Sequence, residues 1–211
     1  LASRDNPEFL EQTAREARAL GVQACTVQCD LSNESQVEDL VGGCVSQFAS
    51  LDVAINNVLF PMPLQSLEEI PFEVWKRKFD VETTGSFQLF KQVIPQMIQQ
   101  QWGRVINFTG VDAFNGADVM SSATEMGLVG LTRGIAREYG KHNITANCIG
   151  PGGIENQEAE GLHTVEPSQR NGIPRRGTPE EIAFLAVTLC SEGASYITGQ
   201  CLLADGGKHF L

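Results

Sequence analysis

The feature that most constrains the fold of this chain is its alternation of short apolar segments with segments of helical period. Asn6 followed by Pro7 is a helix cap and first helical position, and apolar residues recur at helical spacing until Gly21 stops the run. Residues 22–29 then alternate as a strand does, Asp30-Leu31-Ser32-Asn33 turns the chain, and 34–48 is helical again. The pattern continues with strands over 51–55, 104–108, 144–149 and 200–204, and helices over 72–100, 122–139 and 179 to about 191. Thr178-Pro179-Glu180-Glu181 has the form of a capping box that opens the last of these helices. Strands joined by helix-length crossovers predict a doubly wound α/β fold, with a parallel sheet covered on both faces. At 211 residues the chain is long enough for one such domain and too short for two.

The balance of charge narrows the range of partners. A formal charge of −11 opposes attraction to phosphate backbones and anionic lipid surfaces, so nucleic acid is not an expected partner. The longest apolar run, residues 182–190, is far below the roughly 20 residues a membrane helix needs, and no basic-then-apolar leader opens the chain. Six cysteines without a C-x-x-C pair fall partly in apolar runs, where free Cys packs as a small hydrophobe; a reducing cytoplasmic setting fits them. The three histidines, His142, His163 and His209, lack metal-ligand spacing, so no metal site is expected. Residues 155–177 carry Gly, Pro and charge without a period and are the expected substrate lid.

Three stretches carry chemistry by their order and spacing. They are Gly103-Arg-Val-Ile-Asn-Phe-Thr-Gly-Val111, Ser121-Ser-Ala-Thr-Glu125, and Asn147-Cys-Ile-Gly-Pro151-Gly152-Gly153-Ile154. Together they resemble the catalytic half of the short-chain dehydrogenase/reductase family. In that family a Tyr exchanges the proton at the substrate oxygen, and a Lys lowers its pKa and holds the nicotinamide ribose. A Ser positions the carbonyl, and an Asn on the preceding long helix completes a water relay. The resemblance aligns Ser121 with the Tyr, Glu125 with the Lys, Gly110 with the Ser and Glu82 with the Asn. All four positions are therefore replaced, and Thr109 is the hydroxyl nearest the serine position. The only tyrosines, Tyr139 and Tyr196, lie elsewhere in the pattern. A Glu in place of Lys would make a nearby alcohol harder to deprotonate, which opposes the family's hydride-transfer mechanism.

The resemblance also implies a cofactor, NADP(H). Ser3 and Arg4 match the pair that holds the 2′-phosphate, and Asp30-Leu31 match the adenine contact. Asn57 belongs to a stretch similar to the family's Asn-Asn-Ala-Gly turn, in which Val58 and Leu59 are bulkier and would crowd the cofactor. Pro151, Gly152 and Ile154 match the turn beside the nicotinamide, where Asn156 replaces the usual Thr. A solvated Arg before a helix cap would account for Arg4 equally well. The glycine-rich phosphate turn is absent, and the resemblance implies a first strand-turn-helix unit ahead of Leu1, whose strand would be central. Without it the apolar edges of both neighbouring strands would be exposed. The rival expectation is a truncated chain with a rearranged sheet.

Ser122 and Glu125 together also read as a capping box, which would explain both residue types without chemistry. Three functional readings follow. One is a catalytically silent family member that still binds NADP(H) or assembles as a homo-oligomer through the helical stretches 81–100 and 127–139. Another is a cofactor-independent lyase, hydratase or isomerase acting on a small carbonyl or hydroxy compound, with Glu82 and Glu125 as paired carboxylates of divergent pKa. The third is residual NADPH-dependent reduction of an activated carbonyl.

Overall fold

Local capping sets most of the element boundaries. In the computed structural model of the protein, which describes residues 1–61, 65–116, 118–155 and 172–210, helix α1 (Pro7–Ala19) opens with the Asn6 side chain accepting from Phe9 N. Gly21, at φ +87°, turns the chain through the left-handed region that a side chain would resist. Helix α2 (Glu34–Phe48) opens in the same way on Asn33. Helix α7 (Pro179–Cys190) has the predicted capping box, with Thr178 and Glu181 bonding each other's backbone amides.

Every strand pairing is parallel. Strands β1 (Ala2–Ser3) and β2 (Val27–Gln28) form a two-stranded sheet, and β3 (Val53–Asn56), β4 (Gly103–Phe108), β5 (Ile144–Pro151) and β6 (Cys201–Ala204) form a four-stranded sheet in that order. The register aligns Val53 with Arg104, Gly103 with Ile144 and Cys148 with Cys201. With helices on its faces, this is the expected single Rossmann-like domain. β4 and β5 are buried almost throughout, as central parallel strands must be. The edge of β3 away from β4 has no strand partner among the described residues, and Val53 and Ile55 on it are 40% and 51% exposed.

Three predicted elements need correction. The strand expected over 22–29 is ladder-bonded only at Val27–Gln28, because its partner β1 is two residues long. The helix expected over 72–100 is three pieces: α3 (Phe72–Phe79), a π-turn (Asp80–Thr84) and α4 (Gly85–Gln100). The helix expected from Ser122 is α6 (Val119–Tyr139), which starts three residues earlier because Asp118 caps it, accepting from Met120 N and Ser121 N. A four-residue helix α5 (Asp112–Asn115) precedes it.

The main core lies between α2, α4, α6 and the sheet, around Phe90, Met97, Val105 and Ile144; a second cluster joins α7 to β4 and β5 through Ile106, Ile149 and Leu189. No helix among the described residues is long and apolar enough to cross a membrane.

Because the capping box supplies two reciprocal bonds at the start of α7, Thr178→Ala is expected to cost about 1 kcal/mol. Denaturant titration checks this, and an unchanged midpoint would show that the box contributes nothing.

Candidate functional site at the carboxyl edge of the sheet

Parallel strands place their carboxyl ends along one edge, and in open α/β sheets that edge binds ligands. Each residue predicted for a site follows or ends a strand there, or sits on a helix that starts there. Thr109 and Gly110 follow β4, Pro151 ends β5 with Gly152 next, Asn57 follows β3, and Ser3-Arg4 and Asp30 lie at or just past the ends of β1 and β2. Asn156 and His163, with residues 156–171 of the expected lid, lie outside the described residues.

Gly110 and Glu125 are in contact. A Cβ built on Gly110 would meet Glu125 Oε1 at 2.6 Å and Oε2 at 2.8 Å, so the carboxylate fills the volume a side chain at position 110 would need. Ala113 N, in α5, donates to Glu125 Oε2 at 2.9 Å. The capping-box reading of Ser122 and Glu125 therefore fails: both lie inside α6, and Asp118 is the cap. Ser121 sits in the first turn, with its amide spent on Asp118. Thr109 is buried, and its hydroxyl has no hydrogen-bond partner among the described residues.

Glu82 occupies the π-turn and is 1% exposed, but it is fully engaged. Lys78, one helical turn earlier and 2% exposed, donates to Oε1 at 2.7 Å. Phe60 N donates to the same oxygen at 2.8 Å, and the Thr124 hydroxyl donates to Oε2 at 2.6 Å. Lys78 also reaches Phe60 O at 3.3 Å. The ion pair thus ties the segment after β3 to the π-turn and to α6. Lys78 was missed in the sequence; its i,i+4 spacing to Glu82 was the available signal.

A chain of buried polar groups runs beneath this edge. Asn56 Nδ2 donates to Ser86 Oγ at 2.7 Å and to Asn107 Oδ1 at 2.9 Å, and Asn107 Nδ2 donates to Thr132 Oγ1 at 2.8 Å. Cys148 Sγ donates to the same Thr132 oxygen at 3.1 Å.

The expected cofactor residues fit a nucleotide unevenly. Asp30 is bonded by Ser32 N, Ser32 Oγ and Arg77 Nη2, the last at 2.8 Å. Burial works against its charge, but these hydrogen bonds outweigh it and hold the carboxyl down at about 2. Leu31 is buried in a small cluster with Cys29 and Val37. Val58 packs against that cluster, and Leu59 is exposed. Arg4 is partly exposed, and its hydrogen bond to Asp5 raises its pKa while leaving the guanidinium at the surface. Ser3 is fixed by its backbone, Ser3 O accepting from Cys29 N at 3.0 Å. Asn57 is exposed, as a ligand contact can be. Gly152 packs against Asp205, where a Cβ would come within 2.7 Å of Cα, and Ile154 bridges to Gly177. The Asp205 side chain is 3% exposed and bonded by Gly207 N, Lys208 N, His209 N and His209 Nδ1, which closes the turn behind Pro151-Gly152.

Two outcomes follow. Lys78→Met should cost about 3–5 kcal/mol by stranding a buried carboxylate, and Lys78→Met/Glu82→Leu should recover most of it; additive losses in denaturant titrations would disprove the coupling. The Asp30 carboxyl is depressed from the ordinary 3.8 to about 2, so its contribution is complete above about pH 4 and is lost as pH falls to 2. Asp30→Asn should flatten stability over that window by roughly 1–2 kcal/mol; an unchanged acid limb in pH-dependent unfolding would contradict this.

Comparison with known proteins agrees with the geometry. A family model described as Enoyl-(Acyl carrier protein) reductase matches residues 1–209. The chain is 36% identical over 207 residues to the uncharacterized oxidoreductase YohF of Escherichia coli (strain K12), covering 95% of this chain and 81% of that protein. It is 32% identical over 196 residues to the 3-oxoacyl-[acyl-carrier-protein] reductase FabG of Aquifex aeolicus (strain VF5), covering 90% and 79%. The crystal structure of acetoin dehydrogenase YohF from Salmonella typhimurium superposes with a TM-score of 0.85 at 32% identity, covering 98% of this chain and 83% of that one. On its parallel sheet, its ordered edge of site residues and these matches, the chain belongs to the short-chain dehydrogenase/reductase family.

Proposed function

We propose that this protein is a catalytically silent member of its family that keeps a nucleotide site for NADP(H) and has lost the proton-transfer step. The observation that carries this reading is the contact of Glu125 with Gly110. A carboxylate lies in the volume that a serine side chain would occupy in the aligned family pattern, and it supplies negative charge where the pattern supplies an ammonium. Ser121 offers no group that can exchange a proton near neutral pH.

Features along the rim of the sheet support a retained nucleotide site. Arg4 keeps a partly exposed cation, paired with Asp5 and near Asp30, to which a 2′-phosphate would add charge-assisted bonds. Asn57 and the Pro151-Gly152 turn remain at the strand ends. The bound cofactor would supply a hydride, and this chain's part is confined to holding it. A small carbonyl or hydroxy compound is the expected second ligand, in keeping with relatives named as a 3-oxoacyl-carrier-protein reductase and an acetoin dehydrogenase. Exposed Phe87 on α4 and Met126 on α6 favour assembly of copies through these helices.

The lyase reading is weaker because Glu82 has Lys78, Phe60 N and Thr124 as partners, which makes it a framework ion and not an available base. Residual carbonyl reduction would need a nearby water in place of the Tyr, with the buried Thr109 hydroxyl as the nearest stand-in for the serine.

Calorimetric titration of the full-length protein with NADPH tests the proposal, together with NADPH oxidation assays on a panel of ketones and aldehydes. The expected result is micromolar affinity, about −8 kcal/mol, without turnover. Turnover near the ordinary range of about 1–10³ s⁻¹ would overturn the loss of chemistry, and absence of binding would overturn the nucleotide site.

A further inference from the structure

Cys148 and Cys201 are register partners on the adjacent parallel strands β5 and β6. Partners in such a ladder carry their side chains on the same face of the sheet, and neighbouring strands lie about 4.8 Å apart. That separation falls inside the roughly 4.4–6.8 Å Cα window of a disulfide. Both residues are free thiols. No other two cysteines are register partners among the described residues.

The two sulfurs differ in access. Cys148 is fully buried, whereas Cys201 is partly exposed, so a small solute meets Cys201 first with Cys148 directly behind it.

We propose that Cys148 and Cys201 form a dithiol that hydrogen peroxide converts to a disulfide joining β5 to β6. The Cys201 sulfur attacks one peroxide oxygen and the O–O bond breaks, giving Cys201 sulfenic acid; the departing hydroxide takes the thiol proton and leaves as water. The Cys148 sulfur then attacks the sulfenic sulfur, the S–O bond breaks, and the second hydroxide leaves as water with the Cys148 proton. Two thiols lose two electrons and one peroxide becomes two waters.

The linkage reaches the site through α6. Moving Cys148 Sγ onto Cys201 removes its bond to Thr132 Oγ1, the last link of the buried chain from Asn56 and Asn107. Thr132 lies on the helix that carries Ser121 and Glu125, so oxidation loosens that helix against β5.

The test is peptide mapping of the folded protein after hydrogen peroxide, with free thiols alkylated and no reductant present. The expected product is a Cys148–Cys201 cross-linked peptide that dithiothreitol cleaves, accompanied by faster amide exchange across residues 128–132. Cys201→Ala should leave Cys148 alkylatable and residues 128–132 unchanged by peroxide. Oxidation of Cys201 to sulfinic acid with Cys148 still free would overturn the proposal. So would cross-linking of either residue to another cysteine, or survival of both thiols at a dose that oxidises Cys25 or Cys44. The cross-link is read in the unsubstituted protein, so a variant that fails to fold does not obscure the result.

Discussion

The ladder between β4 and β5 is the constraint on which the rest of the structure depends. Six consecutive residue pairs, Gly103–Ile144 to Phe108–Ile149, bond two strands that are covered on both faces, so their backbone groups have no alternative partner in water. Met97 and Phe90 of α4 and Ile135 of α6 close over one face, and Leu189 of α7 closes over the other. Gly110 and Gly152 lie just past the ends of these strands, so the candidate site inherits its geometry from the most rigid part of the molecule. β3 completes this sheet from one side only. Its other edge has no strand partner among the described residues, and Val53 and Ile55 on it are exposed.

Burying charge beside that frame requires compensation at each point. Lys78 neutralises Glu82, and the carboxylate also takes Phe60 N and Thr124 Oγ1, so it is neither unpaired nor short of hydrogen bonds. The π-turn at Asp80–Thr84 carries Glu82 between the segment after β3 and α6. Such turns recur at functional sites, and here the turn serves a contact between three elements. Arg77 plays the same part for Asp30 at the edge of the smaller sheet. Both ions hold segments in place, whatever ligand they border.

Much of this was legible in the sequence where the signal is local. Asn6-Pro7 and Thr178-Pro179-Glu180-Glu181 mark their helix starts because a cap is a bond between residues two or three apart. Ser122-x-x-Glu125 has the same form and misled, because Asp118 four residues earlier makes the cap and Glu125 bonds to α5. The pairing of Asp30 with Arg77 spans 47 residues and leaves no mark in the sequence. The order of the site residues along the chain was readable because parallel strands bring their ends to one edge. The contact between Gly110 and Glu125 was not readable, since it depends on how α6 leans on the end of β4.

That contact couples two of the positions that the family resemblance aligns. A side chain at 110 would collide with the carboxylate of 125 at 2.6 Å, and Glu125 in turn accepts from Ala113 N. Glu82 is held by Lys78 in the same way. Gly110, Glu125 and Glu82 are therefore part of the packing, each with contacts of its own. Residues that are coupled in this way do not contribute additively. The frame around Glu82 and Glu125 is thus held by its own contacts, and the strand ends that carry Asn57 and Pro151-Gly152 are built from different residues.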